Sequence, residues 1–157
     1  MKSGKLKKLG VILIVVFLMG QIRSHLFASE QHDASQKGDL IIRVEGFKNN
    51  TGSVRVALVD SKKAYKGKRE YFRSLEVAIT DQKAEVTFKD IPFGEYAVKL
   101  YHDENDNDKL DRIVILGIPL EKYGFSNNAR SAFGPPRYRK AQFTLQDPMM
   151  TMDIMVK

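Results

Sequence analysis

The chain contains no cysteine among its 157 residues. This absence excludes disulfide bonds, a cysteine nucleophile, thiolate metal sites and lipid attachment through a thiol. A domain without disulfides must be stabilised by its hydrophobic core. Residues 39–157 are long enough to form one such core, so we expect a single domain.

Acidic residues are absent from the first 28 positions, although these positions hold five basic residues. Without this segment, 21 basic and 19 acidic residues remain, and the net charge falls from +7 to +2. The high isoelectric point therefore describes mostly the N-terminal segment. A nearly neutral remainder gives little electrostatic support for nucleic-acid binding, and we expect no nucleic-acid partner.

The N-terminal segment has the three-part layout of a secretory signal peptide. A lysine-rich start precedes an apolar run at residues 9–19, and Leu26, Phe27 and Ala28 follow a polar stretch. The run is short for a membrane span of about 20 residues, so we predict cleavage after Ala28. An uncleaved anchor is the alternative and would be the only membrane contact. The mature protein would be periplasmic or extracellular, with residues 29–38 as a disordered linker.

Apolar and polar residues alternate at every second position through most of residues 39–157. In the first segment Leu40, Ile42 and Val44 share one face, while Arg43 and Glu45 point away. About seven segments of this kind occur, separated by turn residues, and no segment shows an apolar repeat of 3.6 residues over a helical length. The pattern predicts an all-β fold, a single antiparallel β-sandwich of about seven strands.

The acidic loop (residues 103–111) holds five carboxylates and two asparagines in nine residues, with Lys109 as its only basic residue. Carboxylates this close repel one another unless a positive charge lies among them. Oxygen ligands recur at the spacing of calcium-binding loops, including the backbone carbonyl of position seven. The candidate ligands are Asp103, Asn105, Asn107, Lys109 and Asp111.

Two positions depart from the calcium-loop pattern. Asp108 stands where a sharp turn requires glycine, and Val114 stands where a bidentate glutamate is expected. Glu121 or Asp60 could supply a missing ligand. The alternative is a solvated acidic turn without a metal, since Asp and Asn are common in turns.

The long loop (residues 117–140) is the second unusual region, because connections of this length are often functional. It combines aromatic side chains with hydrogen-bonding groups, a mixture that suits recognition of a peptide or sugar. Alternatively, the aromatic rings cover one end of the sandwich and the asparagines bond to loop carbonyls. The candidate binding residues are Tyr123, Phe125, Asn127, Asn128, Arg130 and Phe133.

Catalytic motifs are largely missing. The sequence has no phosphate-binding loop, dinucleotide fingerprint or zinc motif. Residues 124–128 partly match a nucleophile elbow around Ser126, but the final glycine is missing and no helix is predicted to follow. Clustered carboxylates on one exposed loop rarely provide the two environments that a glycosidase needs. We therefore expect that the protein is not an enzyme.

Several motifs together resemble a bacterial exported family described as domain of unknown function 2141. They are Phe93–Val98, His102–Asn105, Lys109–Asp111, Gly117–Pro119, Tyr123–Asn128 and Phe133–Pro136. The resemblance covers residues 39–156 and implies a transthyretin-like (prealbumin-like) sandwich, similar to carboxypeptidase-regulatory-like domains, without an activity. The family pattern has glycines where this chain has Asp106 and Asp108.

The sequence therefore favours a non-catalytic binding or interaction module with a structural calcium ion. Its partner would be a protein, peptide or carbohydrate of the cell envelope. A carbohydrate-processing or other hydrolytic enzyme that uses the acidic loop is the first alternative. An envelope structural protein without a metal is the second.

Overall fold

The computed structural model describes residues 36–157. The predictions of a signal peptide at residues 1–28 and of a linker at residues 29–38 lie largely outside this part. Residues 37–157 form one compact unit. Within the described residues, no helix is long and apolar enough to cross a membrane.

Within residues 36–157 the fold consists of eight strands, two helices of four residues and one 3₁₀ turn, joined by loops. The strands are β1 (Lys37–Glu45), β2 (Ser53–Val59), β3 (Arg73–Ala78), β4 (Lys83–Pro92), β5 (Gly94–Asp103), β6 (Tyr123–Phe125), β7 (Phe143–Leu145) and β8 (Met149–Met155). The helices are α1 (Lys62–Tyr65) and α2 (Tyr138–Ala141), and the 3₁₀ turn is Ser126–Asn128.

The strands form two sheets. One has the order β4-β1-β8, and the other has the order β3-β2-β5-β6, with β7 paired to β5. All pairs are antiparallel except β1 and β8, which run parallel with Ile42 opposite Met152. The predicted all-β sandwich is confirmed. It differs from the prediction in its one parallel pair and in β6, a three-residue strand too short for alternation to reveal.

The main core lies between the sheets and consists of the apolar faces that alternation predicted. Leu40, Ile42 and Val44 from β1 meet Val56 and Leu58 from β2, all nearly or fully buried. Burial of this kind contributes about 25 cal/mol per Å² of apolar area removed from water. Residues 37–157 therefore have a hydrophobic core of their own, and we expect this unit to fold by itself.

A second apolar cluster covers one end of the outer face of the larger sheet. Tyr65 from α1 contacts the rings of Phe125 and Tyr138 at centroid distances of 5.8 Å and 5.5 Å. Ala97 of β5 and Ala141 of α2 pack in the same cluster. Among residues 36–157 no second cluster of this kind covers the rest of this outer face, and the two loops singled out by the sequence border it.

Candidate functional site

Asp103 is the structural centre of the acidic loop. Its side chain is fully buried at the end of β5. Oδ1 accepts a hydrogen bond from the backbone N–H of Asn107 at 2.9 Å, and Oδ2 accepts one from the N–H of Asp108 at 2.9 Å. The loop therefore wraps around this carboxylate, and its backbone N–H groups replace the water molecules that the carboxylate loses on burial.

Arg55 supplies the positive charge that the acidic loop requires. It lies on β2, beside β5, and its Nε donates to Asp103 Oδ2 at 2.7 Å. Its Nη2 pairs with Asp108 and, at 3.1 Å, with Glu76. Sequence reasoning considered only Lys109 as a compensating charge, because Arg55 is distant in sequence and reaches the loop only through strand pairing.

This arrangement lowers the pKa of Asp103. Burial alone would raise the pKa, but hydrogen bonds from Arg55 and from the N–H groups of Asn107 and Asp108 outweigh it. The net pKa lies below the ordinary value of 3.8. Conversely, the hydrogen bond to Asp103 raises the pKa of Arg55. Both groups are therefore charged at neutral pH, and each stabilises the ionised form of the other.

The structure brings the other predicted ligand residues together around Asp111. Its carboxylate accepts hydrogen bonds from the side-chain amides of Asn105 at 2.9 Å and Asn107 at 3.1 Å. The backbone N–H of Lys109 donates to Asn107 Oδ1 at 2.9 Å. Within residues 36–157, no group of three or more acidic, His or Cys side chains is arranged to hold a metal.

Glu121 joins the acidic loop to the long loop. One carboxylate oxygen accepts from the N–H of Glu104 and the other from the N–H of Asp111, both at 2.9 Å. Glu121 is nearly buried. Of the two extra ligands that the sequence suggested, Glu121 lies at the loop, whereas the carboxylate of Asp60 lies 4.0 Å from Arg69.

Three of the candidate binding residues hold the long loop in place. Asn127 donates to the carbonyl of Gln142 at 2.8 Å. Asn128 donates to the carbonyl of Asp153 and accepts from the N–H of Met155, while Arg130 donates to the carbonyl of Met155 at 2.7 Å. These contacts attach the loop to β8 and to the end of α2.

Ser126, at the partial nucleophile-elbow match, is fully buried. Its hydroxyl accepts from the N–H of Val98 at 2.9 Å and donates to the carbonyl of Ala141. A serine committed to two backbone partners in the interior cannot attack a substrate. Its contacts instead tie β5 to α2.

The other three candidate binding residues line a groove on the outer face of the larger sheet. The groove has a volume of about 1560 Å³. Its floor includes Arg55, Lys99 and Tyr101, and both loops form its walls. From the long loop it receives Tyr123, Phe125 and Phe133, and from the acidic loop Asp108, Lys109 and Leu110.

Comparison with protein-family models gives a match over most of the chain. A family model described as "Uncharacterized protein conserved in bacteria (DUF2141)" matches residues 42–153. The match spans both sheets, the acidic loop and the long loop. The chain belongs to this family. No curated protein and no solved structure matches it, so the transthyretin-like likeness stays a prediction.

The two acidic-loop positions at which the resemblance led us to expect glycine have backbone conformations that suit glycine. Asp106 has φ of 52° and Asp108 has φ of 68°, both in the left-handed region. A side chain at such a position carries a steric cost that glycine avoids, although Asp tolerates it better than most residues. At Asp108 the ion pair with Arg55 offsets this cost. The structure shows no comparable contact for the side chain of Asp106 among the described residues.

One surface feature escaped the sequence analysis of this DUF2141 chain. Residues 112–120 form a hairpin that leads from the acidic loop into the start of the long loop, and its tip at residues 113–116 consists of four consecutive apolar residues. Most of these side chains are largely exposed. The four-residue run was visible in the sequence. Its four apolar residues do not alternate with polar residues, so the two-residue repeat used to identify strands did not single it out.

Proposed function

We propose that this protein is a non-catalytic binding module of the bacterial cell envelope and that the groove is its ligand site. The observation that carries this proposal is the groove itself, which the acidic loop and the long loop border together. Its volume of about 1560 Å³ exceeds that of ordinary small-molecule pockets, which measure about 300–1,000 Å³. An open groove of this size suits an extended or surface-bound ligand.

The charges of the groove favour an anionic ligand. Among the described residues its two acidic lining residues are Glu76 and Asp108, and both pair with Arg55. Within the described residues, five other basic side chains along it take part in no ion pair; these are Lys66, Lys68, Lys99, Lys109 and Arg112. The groove is therefore positive overall, and the field of such a cleft concentrates anions.

Aromatic side chains provide the apolar part of the recognition surface. Tyr71 and Phe133 are exposed along the groove, and Lys99 lies 4.8 Å from the ring centre of Tyr71. Burial raises the pKa of Tyr101 to about 12, so its hydroxyl is neutral at physiological pH. Rings next to cations suit a ligand that combines apolar surface with negative charge.

A hydrolytic enzyme has less support than a binding module. General acid–base catalysis by two carboxylates requires two different environments across a cleft. Here the two carboxylates of the groove share one arginine, and Asp103 is buried beneath the loop. None of these three carboxylates therefore has the separate environment that a catalytic acid or base requires.

We also propose that the acidic loop binds calcium weakly. Asn105 and Asn107 lie at hydrogen-bond distance from Asp111, and either amide presents its oxygen after a rotation of its end group. Glu121 adds carboxylate oxygens nearby. Because Arg55 already supplies positive charge, an affinity of about 10⁻⁴–10⁻³ M, as in extracellular modules, is expected.

The binding function is tested by nuclear magnetic resonance on ¹⁵N-labelled residues 36–157. The probes are soluble acidic and neutral oligosaccharides and an acidic peptide set. We expect shifts confined to the groove, weakened in Tyr101→Ala and retained in Lys89→Gln on β4. Turnover of a probe that is abolished by Asp111→Asn, with an unchanged melting temperature, would instead establish an enzyme.

A further inference from the structure

The hairpin at residues 112–120 is a formed structural element. The N–H of Ile113 donates to the carbonyl of Ile118 at 2.8 Å, and the N–H of Gly117 donates to the carbonyl of Ile113 at 2.7 Å. At its base the N–H of Leu120 donates to the carbonyl of Asp111 at 2.8 Å. The backbone thus holds a defined turn that carries its apolar tip away from the core.

Two residues of the tip are almost completely exposed to solvent, and the other two are partly exposed. Val114 and Ile115 are 95% and 92% exposed, and Leu116 is 66% exposed. Phe133, on the long loop, is 93% exposed. Leu116 and Phe133 both line the groove, so two apolar projections border the same basic surface. Exposed apolar surface of this kind marks interaction sites.

The shape of the tip favours a lipid bilayer over a protein partner. Side chains exposed on more than nine-tenths of their surface form a convex point, whereas protein interfaces pack their central residues into matching pockets. A fluid acyl layer can surround a convex point on all sides. Val114 and Ile115 lie in the turn at the end of the hairpin, so their exposed side chains can enter the boundary of headgroups and acyl chains, where interfacial segments lie about 5–10 Å deep.

The charges near the two projections match an anionic bilayer surface. Lys109 and Arg112 lie at the base of the hairpin, and Lys66 and Lys68 lie along the same groove. Basic residues next to an inserted apolar segment are attracted to anionic headgroups. We propose that this face docks on an anionic lipid bilayer, with the two projections in the acyl boundary and lipid phosphates in the groove.

This inference rests on the proposed binding function and names the bilayer as the partner of the groove. The test is co-sedimentation of residues 36–157 with vesicles of phosphatidylglycerol and phosphatidylcholine. Vesicles of phosphatidylcholine alone and soluble glycerol phosphate serve as comparison probes. The N-terminal segment is left out because its apolar run could bind lipid by itself.

We expect binding to the anionic vesicles, and at most weak binding to neutral vesicles or glycerol phosphate. Val114→Ser with Ile115→Ser should weaken binding at least about tenfold, since both apolar side chains are lost. Lys66→Gln with Lys68→Gln should weaken it about 25-fold, at about fivefold for each lysine. Binding by the unchanged domain should also decrease in high salt, which screens these charges.

Matched controls lie on the smaller sheet. Met149→Ser removes an exposed apolar side chain from β8, and Lys37→Gln with Lys89→Gln removes two exposed lysines. Both controls should bind vesicles like the unchanged domain. All variants should keep its melting temperature, because none of the changed side chains belongs to either core.

Three results would overturn the bilayer proposal. They are no binding to anionic vesicles, full binding by the tip variant, and a tip-dependent dimer without lipid binding. The proposed binding function would survive the first result if an oligosaccharide or peptide still shifted groove resonances. The groove would be excluded as the binding site by a different pair of results. No soluble probe would shift its resonances, and Lys66→Gln with Lys68→Gln would bind vesicles as well as the unchanged domain.

Discussion

Arg55 and Asp103 form the contact on which the acidic loop depends, and the pair is only partly accessible to water. Removal of Arg55 would leave a buried carboxylate without its counter-ion. Such a loss costs about 3 kcal/mol or more. We therefore predict that Arg55→Met lowers the free energy of unfolding by about 3 kcal/mol, measured by urea denaturation of residues 36–157.

The matched control for this prediction is Arg43→Met. Arg43 pairs with Glu85 at 3.0 Å, but both side chains are 56% exposed. An exposed pair contributes about 0–1 kcal/mol, so this variant should remain close to the unchanged domain. Equal effects of the two substitutions would contradict the central role of Arg55.

Asp103 should also make stability depend on pH. Its pKa is lower in the folded protein than the ordinary 3.8 of the unfolded chain, so the unfolded state binds protons first as pH falls. The stabilisation is therefore complete above that value and is lost as pH falls through the folded pKa. We predict that the stability difference between the unchanged domain and Asp103→Asn disappears in this acidic range.

Urea denaturation from about pH 7 down to about pH 2 measures this difference. Arg55→Met provides an internal check, because without the guanidinium the folded pKa of Asp103 rises. The pH-dependent loss should then be smaller and should be complete at a higher pH than in the unchanged domain. A stability difference between the unchanged domain and Asp103→Asn that persists undiminished at the acid limit would show that the ionised carboxylate is not the source.

At the level of the structural elements, the acidic loop includes a strained backbone position at Asp106, and the energetic cost of this position can be measured by substitution. Its φ is 52°, and its side chain makes no hydrogen bond or ion pair among the described residues. Asp106→Gly and Asp106→Ala remove the same charge but differ in their tolerance of positive φ. We predict that the glycine variant is more stable than the alanine variant by about 1 kcal/mol.

Thermal melts of the two variants, compared with each other, test this prediction. A useful control is the same pair of substitutions at Asp153, which lies in the extended strand β8. There the order should reverse, because glycine weakens a strand interior. If Asp106→Ala and Asp106→Gly melted at the same temperature, the left-handed backbone conformation at this position would not destabilise the fold.

The sequence predicted elements better than it predicted their contacts. Alternation located the long strands, since each buries one face, and turn residues located the breaks. It could not show that β1 and β8 run parallel, or that Arg55 meets Asp103 across 48 positions. These features depend on which strands become neighbours, and local pattern does not encode that choice. Asn128 of the long loop likewise bonds to β8, a strand distant in sequence.

At the scale of the whole molecule, the two loops and the hairpin between them form one continuous surface beside the larger sheet. Glu121 and the base of the hairpin connect them, because both bond to Asp111. A change in the acidic loop can therefore alter the wall of the groove. Calcium bound at that loop would stabilise the whole domain, since binding to the native state alone shifts the unfolding equilibrium.

We predict that millimolar calcium raises the melting temperature of residues 36–157, whereas magnesium does not. At tenfold excess over the dissociation constant the gain is about 1.4 kcal/mol, or about 5 °C for a domain of this size. Asp111→Ala should abolish the shift, and Asp153→Ala should keep it. Each shift is measured against chelator in the same variant, because Asp111 also stabilises the loop directly. An unchanged melting temperature in calcium would mean that Arg55 neutralises the loop without a metal ion. The functional surface would then be the basic groove with its two apolar projections.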